Sequence, residues 1–331
     1  MFGKADRNGE FEGIPLRGTG QYTRVSQRHV FALRALASVG RRRPDHIIST
    51  HVNFGPAAQI AKRTFGTPYT LVAHGIDIHS GLPAETVSSL RAADGIVAVS
   101  EWTRLRVLDL GGIDPEVVTV LPNTFDEGRF TVAPPSQALR ERYGVRNGER
   151  VVLTVARLAP HERYKGYDRV IRALPLVNEI AGPVRFIVVG KGEDKERLEA
   201  VSSVLGVRPM VTLAGFVSDE ELADHYRLAD VFAMPSTGEG FGIVFLEAMG
   251  CGTPVVAGNR DGSVDALANG RLGCLVDPNS IEAIASGIGA TLLGRGLPLW
   301  FDRSSLRAAV VMRFGRAAFQ EAVMDALRFL K

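Results

Sequence analysis

The sequence predicts an α/β protein built from two parallel-sheet domains. Three observations predict it. Short apolar runs alternate with helical stretches along the whole chain, the pattern of parallel sheets covered by helices. The 331 residues are long for one compact core and comfortable for two. A stretch at 131–150 carrying Pro134, Pro135, Gly144 and Gly148 divides the runs into two sets, as a linker does.

Strands are expected at 46–50, 69–74, 95–100 and 117–121 in the first set. In the second they are expected at 151–156, 186–190, 211–214, 231–234 and 255–257. The domains are expected at 1–135 and 148–309, with a C-terminal helix over 310–331 returning to the first. Ser218 with Asp219, Glu220 and Glu221 reads as a capping box opening a helix. Gly18, Thr19 and Gly20 are not expected to follow a strand, so the first domain reads as shortened at its front.

Composition sets the broad class. Apolar residues at 45% and charged residues at 23% are ordinary for a soluble globular protein. No run of 18 apolar residues is present, so no membrane-spanning helix is expected. The opening residues lack the apolar centre of a secretory signal, and Cys251 and Cys274, the two cysteines, have no metal-ligand or disulfide spacing. The expected setting is a reducing cytoplasm. No Asp-x-Asp and no His/Cys/Glu cluster occurs, so neither a metal nor another cofactor is expected.

Charge is uneven. Residues 1–70 hold 11 Lys and Arg against 4 Asp and Glu, including the run Arg41, Arg42, Arg43. One reading is a solvated helix surface, the other a face that meets anionic membrane at the inner leaflet or an anionic acceptor. No aromatic stripe accompanies the charge, which favours the first. Nothing points to nucleic acid.

Residues 235–258, PSTGEGFGIVFLEAMGCGTPVVAG, carry the most chemistry. They read as strand end, glycine loop, short helix and next strand. Glu239 falls in the loop at the helix mouth, and Glu247 in the second helical turn, its side chain leaning back toward that mouth. Gly240 and Gly242 let the backbone approach a ligand, and the N–H groups of Ile243 and Val244 at the helix start favour an anion. Phe241 in the same loop also speaks for a ligand. A phosphate seat between two hydroxyl-binding carboxylates suggests a nucleotide-sugar. The bland alternative is an N-terminal capping Glu239 and a merely exposed Glu247.

Other polar residues fall at strand ends, where open parallel sheets bind ligands. Arg157 and Lys165, in ARLAPHERYKG, suit a diphosphate, the arginine as a bidentate fork and the lysine as a point charge. Gly190 opens GKGED, which has neither a dinucleotide nor a P-loop fingerprint but can bring backbone to a base or ribose. His74, in AHGIDIH, reads as a contact to a reacting sugar or as a satisfied strand-end histidine. His51, His161 and His225 read as structural.

Together these motifs resemble those of family 4, the group 1 glycosyltransferases, which have the GT-B fold and are generally retaining. PNTFDEGRF at 122–130 resembles the family's Pro-Asn-Gly segment, with Thr124 in place of the glycine. ARLAPHERYKGYDRVIRAL resembles its arginine–lysine loop, and EGFGIVFLEAMGCGTPVVA its Glu-x7-Glu region. The resemblance implies two Rossmann-like domains facing a central cleft, with an acceptor-side N-terminal domain and a nucleotide-sugar donor domain. It further implies that Arg157 and Lys165 hold the donor diphosphate, that Glu247 takes the ribose, and that Glu239 with the Gly240–Phe241–Gly242 backbone contacts the sugar. His74 would lie beside the reacting carbon, with Phe216 and Val217 flanking the base. The implied acceptor is a glycan, a lipid-linked glycan or a small molecule. Asp261, Gly262 and Ser263 depart from the glycine pair of many relatives. The rival reading is a non-catalytic nucleotide-sugar-binding remnant without a complete acceptor half.

Overall fold

The computed structural model describes residues 2–3, 9–11, 14–18, 24–78 and 81–327, with side chains from Val30 to Ala326. The chain divides into two compact units. One comprises residues 1–98, 104–120 and the end of the chain from Ala326; the other comprises Val99–Thr103 and Leu121–Asp325.

Three short strands open the chain: β1 (Phe2–Gly3), β2 (Gly9–Phe11) and β3 (Ile14–Gly18). They form their own sheet in the order β1-β3-β2. A strand therefore does end at Gly18, against the expectation, and the helix Arg24–Arg42 follows it. Thr19 and Gly20 lie outside the described residues. The run IPLRG is hard to read as a strand because Pro15 lacks a ladder donor and the alternation offers only Ile14 and Leu16 as apolar positions.

The first unit then builds a parallel sheet from β4 (Ile47–Ser49), β5 (Tyr69–Ala73), β6 (Gly95–Ala98) and β7 (Val118–Val120), in that order. Tyr69, Leu71, Ala73, Ile96 and Ala98 are buried together with Leu90 and Val107 from flanking helices. Arg41 and Arg42 close the helix Arg24–Arg42, where cations complement the negative end of the helix dipole. Arg43 beyond it lies over the Phe65 ring, 5.0 Å from the centroid.

The second unit carries six parallel strands: β8 (Arg150–Val155), β9 (Val184–Val189), β10 (Val211–Gly215), β11 (Val231–Met234), β12 (Val255–Gly258) and β13 (Cys274–Val276). Their order is β10-β9-β8-β11-β12-β13. Chain order thus reverses between β8 and β11, the switch point at which such sheets open a ligand crevice. Val151 and Leu153 of β8 pack with Phe232 and Met234 of β11 on one face. Val152, Val231 and Ala233 pack on the other. Burial on both faces is why these strands read as unbroken apolar runs. The strand β13 was not expected, because CLV is three residues long and follows Gly270 and Gly273.

Ser218 caps the helix Asp219–Leu228, its hydroxyl accepting from the Glu221 N–H. The box is half made: the Glu221 carboxylate pairs with Arg142 at 3.0 Å instead of returning to the cap.

Candidate functional site

The loops after β8 and β11 meet at the switch point. The segment after β8 runs through Arg157 into a tight helical turn, Pro160–Lys165, which Gly166 ends at φ 77°. Only glycine fits there, since a Cβ would stand 2.4 Å from the Pro235 carbonyl. The Thr237 N–H donates to the Tyr164 carbonyl at 2.9 Å, fixing one loop against the other. Lys165 is thereby held 16% exposed, with Nζ 3.3 Å from Glu162 Oε2 and 3.9 Å from Glu239 Oε2. Arg157 extends into solvent, 75% exposed, with Nη2 2.5 Å from Glu162 Oε1.

Glu162 was missed as a functional candidate. It is 3% exposed, lies between the two cations, and was legible only as an acid in i,i+3 spacing with Lys165.

The glycine loop is held from behind. The buried carboxylate of Asp261 accepts from the Glu239 N–H at 2.7 Å and from the Ser263 N–H at 3.0 Å. The Gly262 N–H donates to the Glu239 carbonyl. A Cβ on Gly262 would approach the Gly240 carbonyl to 2.0 Å. The Asp261–Gly262–Ser263 departure is therefore a buttress for the loop that carries Glu239. The Ser100 hydroxyl adds a further tie, donating to the Gly240 carbonyl at 2.7 Å.

Gly242 then adopts φ 89°, ψ 73° and opens the helix Ile243–Gly250 with no side chain capping it. The uncapped N–H groups at Ile243 and Val244 are of the kind that bind anions. The Phe241 ring is turned into the core. It is buried and packs edge-on against Phe314, centroids 5.6 Å apart, so the aromatic in this loop is explained by the core.

Burial pushes the Glu239 carboxyl above the usual carboxylate range. Lys165 opposes this, while Asp261 and Glu162 add to it. Burial likewise raises Glu247, against the hydroxyl of Tyr226 and the charge of Arg129. The Tyr226 hydroxyl donates to Glu247 Oε2 at 2.7 Å. Both carboxyls of the Glu-x7-Glu pair are thus aimed and partly desolvated.

Gly190 has an internal reason to be glycine. Its φ is 137°, and a Cβ would lie 1.8 Å from the Ala156 carbonyl. A Cβ on Gly192 would lie 2.1 Å from the Leu158 carbonyl, and the Leu158 N–H donates to the Lys191 carbonyl. The GKG segment thus braces the loop that carries Arg157. Asp194, which follows it, is a hub missed in the sequence: it accepts from Arg163 at 2.7 Å, Arg197 at 2.5 Å and Tyr167 at 3.1 Å. Burial works to raise its pKa, but the bonds from Arg197, Arg163 and Tyr167 prevail and hold it at about 2. Phe216 is 70% exposed with Lys191 over its ring at 5.2 Å, while Val217 packs half-buried on the core.

His74 belongs to the other unit. Its backbone N–H donates to Asp77 at 2.8 Å, and its Nε2 lies 2.8 Å from the Thr50 carbonyl. That contact makes Nε2 the protonated nitrogen in the neutral ring. His51 has more context than the sequence offered: its ring is 6.1 Å from that of His74, and its Nδ1 lies 3.8 Å from Asp77. His225 is structural, buried between the Tyr143 hydroxyl and the Glu221 carbonyl. His161 is exposed, 3.9 Å from Glu162. Burial pushes the Cys251 thiol up to about 12, and among the described residues no group of His, Cys, Asp or Glu could hold a metal ion.

Residues 135–300 match the family model for glycosyl transferases group 1, and residues 3–124 match the glycosyl transferase 4-like domain. The chain is a group 1 glycosyltransferase. It is 36% identical over 267 residues to a GDP-mannose-dependent alpha-(1-6)-phosphatidylinositol monomannoside mannosyltransferase of Mycolicibacterium smegmatis. That match covers 75% of this chain and 68% of the relative. It is 31% identical over 310 residues to a D-inositol 3-phosphate glycosyltransferase of Acidothermus cellulolyticus, covering 86% of this chain and 67% of the relative. Among solved structures, Anabaena HepE in complex with UDP superposes with a TM-score of 0.80 at 23% identity, over 96% of this transferase and 86% of that chain. The sucrose-phosphate synthase of Thermosynechococcus elongatus superposes with a TM-score of 0.80 at 22% identity, over 100% and 88%. These likenesses give the transferase the GT-B fold.

Proposed function

We propose that this glycosyltransferase moves a sugar, with retention and without a metal, from a nucleoside-diphosphate sugar to a glycan, lipid-linked or small-molecule acceptor. The observation that carries the reading is the position of Lys165, half-enclosed between Glu162 and Glu239 at the switch point. In this reading Arg157 and Lys165 take the diphosphate together with the uncapped helix start at Ile243 and Val244. Glu247, aimed by Tyr226, takes the ribose hydroxyls. Glu239 and the Gly240–Gly242 backbone take the sugar, and Phe216 with Val217 flanks the base. His74 of the other unit serves the reacting carbon.

The acceptor oxygen attacks C1 on the face the nucleotide leaves. The C1–phosphate oxygen bond breaks as the new glycosidic bond forms, and the acceptor proton passes to the departing phosphate. Catalysis then rests on stabilising charge that grows on the diphosphate and on positioning. The cations and helix dipole supply that charge stabilisation, which supports metal independence. The phospholipid-linked acceptor in the name of the mycobacterial relative, together with exposed Arg41 and Arg42, supports work at the cytoplasmic face of an anionic membrane. Among the described residues no helix is long and apolar enough to cross one.

Glu239→Ala tests the assignment. Transfer measured as nucleoside diphosphate released in EDTA should fall about 100-fold or more, while the melting temperature stays within a few degrees. The anomeric configuration of the wild-type product, read by proton NMR, should match that of the donor. Full activity in the variant overturns the role of Glu239, and an inverted product overturns retention.

A further inference from the structure

One buried carboxylate holds both cations proposed for the diphosphate. Glu162 Oε1 lies 2.5 Å from Arg157 Nη2 and Oε2 lies 3.3 Å from Lys165 Nζ. Two oxygens on one anionic centre, each against a different cation, is also the arrangement a diphosphate oxygen pair would make there. Glu162 is 3% exposed, and among the described residues its Oε2 has no hydrogen-bond partner. Leaving a buried carboxylate oxygen without a hydrogen bond is costly.

Asp194, a buried carboxylate of the same unit, shows what a structural acid looks like: three side chains donate to it. Glu162 lacks that satisfaction and is held on its Oε2 side by charge alone. Its backbone also leaves the helical region, at φ −106° and ψ 15° inside the turn Pro160–Lys165. Arg157 is mostly in water and free to change partner, and Lys165 faces a second acid in Glu239 at 3.9 Å.

We propose that Glu162 is an internal competitor of the donor diphosphate, pairing with Arg157 and Lys165 until the substrate exchanges for it and helping to expel the nucleoside diphosphate after transfer. This rests on the diphosphate reading given above. The carboxylate keeps both cations aimed into the site, and it weakens the binding of every anion that follows by like-charge repulsion. Glu162 is thus a positioning residue that also tunes product release.

Calorimetric titration of UDP and of GDP, in EDTA, into the wild-type protein and Glu162→Gln tests this. Glutamine keeps the shape and removes the charge. The diphosphate that wild type binds should bind the variant about tenfold tighter, the effect of lifting ~1.4 kcal/mol of repulsion. Its parent nucleoside, carrying no phosphate, should bind both proteins equally, and the difference should shrink at high salt. The donor KM should fall with it. A residue that merely props the loop would predict the opposite, looser binding of diphosphate. Unchanged or weaker diphosphate binding in a variant that melts like wild type overturns the proposal. If the glutamine variant does not fold, Glu162→Asp serves, because its shorter side chain cannot reach both cations; tightening supports the proposal and its absence overturns it. Failure of wild type to bind either diphosphate overturns the donor-site reading itself, whereas binding without tightening overturns only the role of Glu162.

Discussion

Lys165→Ala is expected to lower kcat/KM for sugar transfer by about 10²–10³-fold, the ~2.7–4 kcal/mol that follows loss of one preorganised charge-stabilising donor. The expectation comes from placement. Lys165 is held by the turn that Gly166 closes, 16% exposed and flanked by Glu162 and Glu239, so its charge acts where water is partly excluded. Arg157, mostly solvated, should matter less when replaced.

The same variant carries a stability signature with a definite sign. Burial holds the Glu239 carboxyl above its ordinary range, and Lys165 is the main group opposing that. A carboxyl whose folded pKa is raised adds stability below its unfolded value, about pH 4, and loses that contribution as pH rises through the folded value. Removing the lysine raises it further. The melting deficit of Lys165→Ala should therefore be smaller near pH 4 than at neutral pH, where the part owed to Glu239 should reach about 2–4 °C, equivalent to about 1 kcal/mol. A deficit that does not change with pH would show that Lys165 and Glu239 are not coupled.

Gly190→Ala is expected to be the most destabilising small substitution in the second unit. A methyl there meets the Ala156 carbonyl at 1.8 Å with φ at 137°, so backbone must move and strain must be borne together. The cost should exceed ~4 kcal/mol, read as a fall of roughly 10 °C or more in melting temperature or as loss of soluble protein. Gly66→Ala is the control. Its φ is 75° with nothing within 4 Å of the added methyl, so only the left-handed backbone is penalised, by about 1 kcal/mol. If Gly190→Ala melted like Gly66→Ala and lost only activity, the glycine would be serving a ligand and not the crossing with Ala156.

Much of the architecture was legible because parallel strands buried on both faces leave unbroken apolar runs. VVLTV, FIVV and VFAM could scarcely be read otherwise, and Arg157 and Glu239 follow the two of them that flank the switch point. What was illegible depended on contacts between distant segments. Glu162 looks like any loop acid until folding drops it between Arg157 and Lys165. Asp261 looks like a departure from a glycine pair until its carboxylate is found on the Glu239 N–H. Phe241 pointed the other way, since an aromatic in a glycine loop invites a ligand and this one packs on Phe314. Gly190 and Gly192 show no nucleotide fingerprint in the sequence, and only the fold reveals the backbone of Ala156 and Leu158 that they cross. Spacing locates the loops; only packing says which residues face a ligand.

The most direct measurement is a crystal structure with bound nucleoside diphosphate. The β-phosphate should lie within hydrogen-bond distance of Lys165 Nζ and of the helix-start N–H groups at Ile243 and Val244, with the ribose hydroxyls on Glu247. A diphosphate seated on the Gly190–Lys191–Gly192 segment, or one that leaves Lys165 paired only with Glu162 and Glu239, would contradict it.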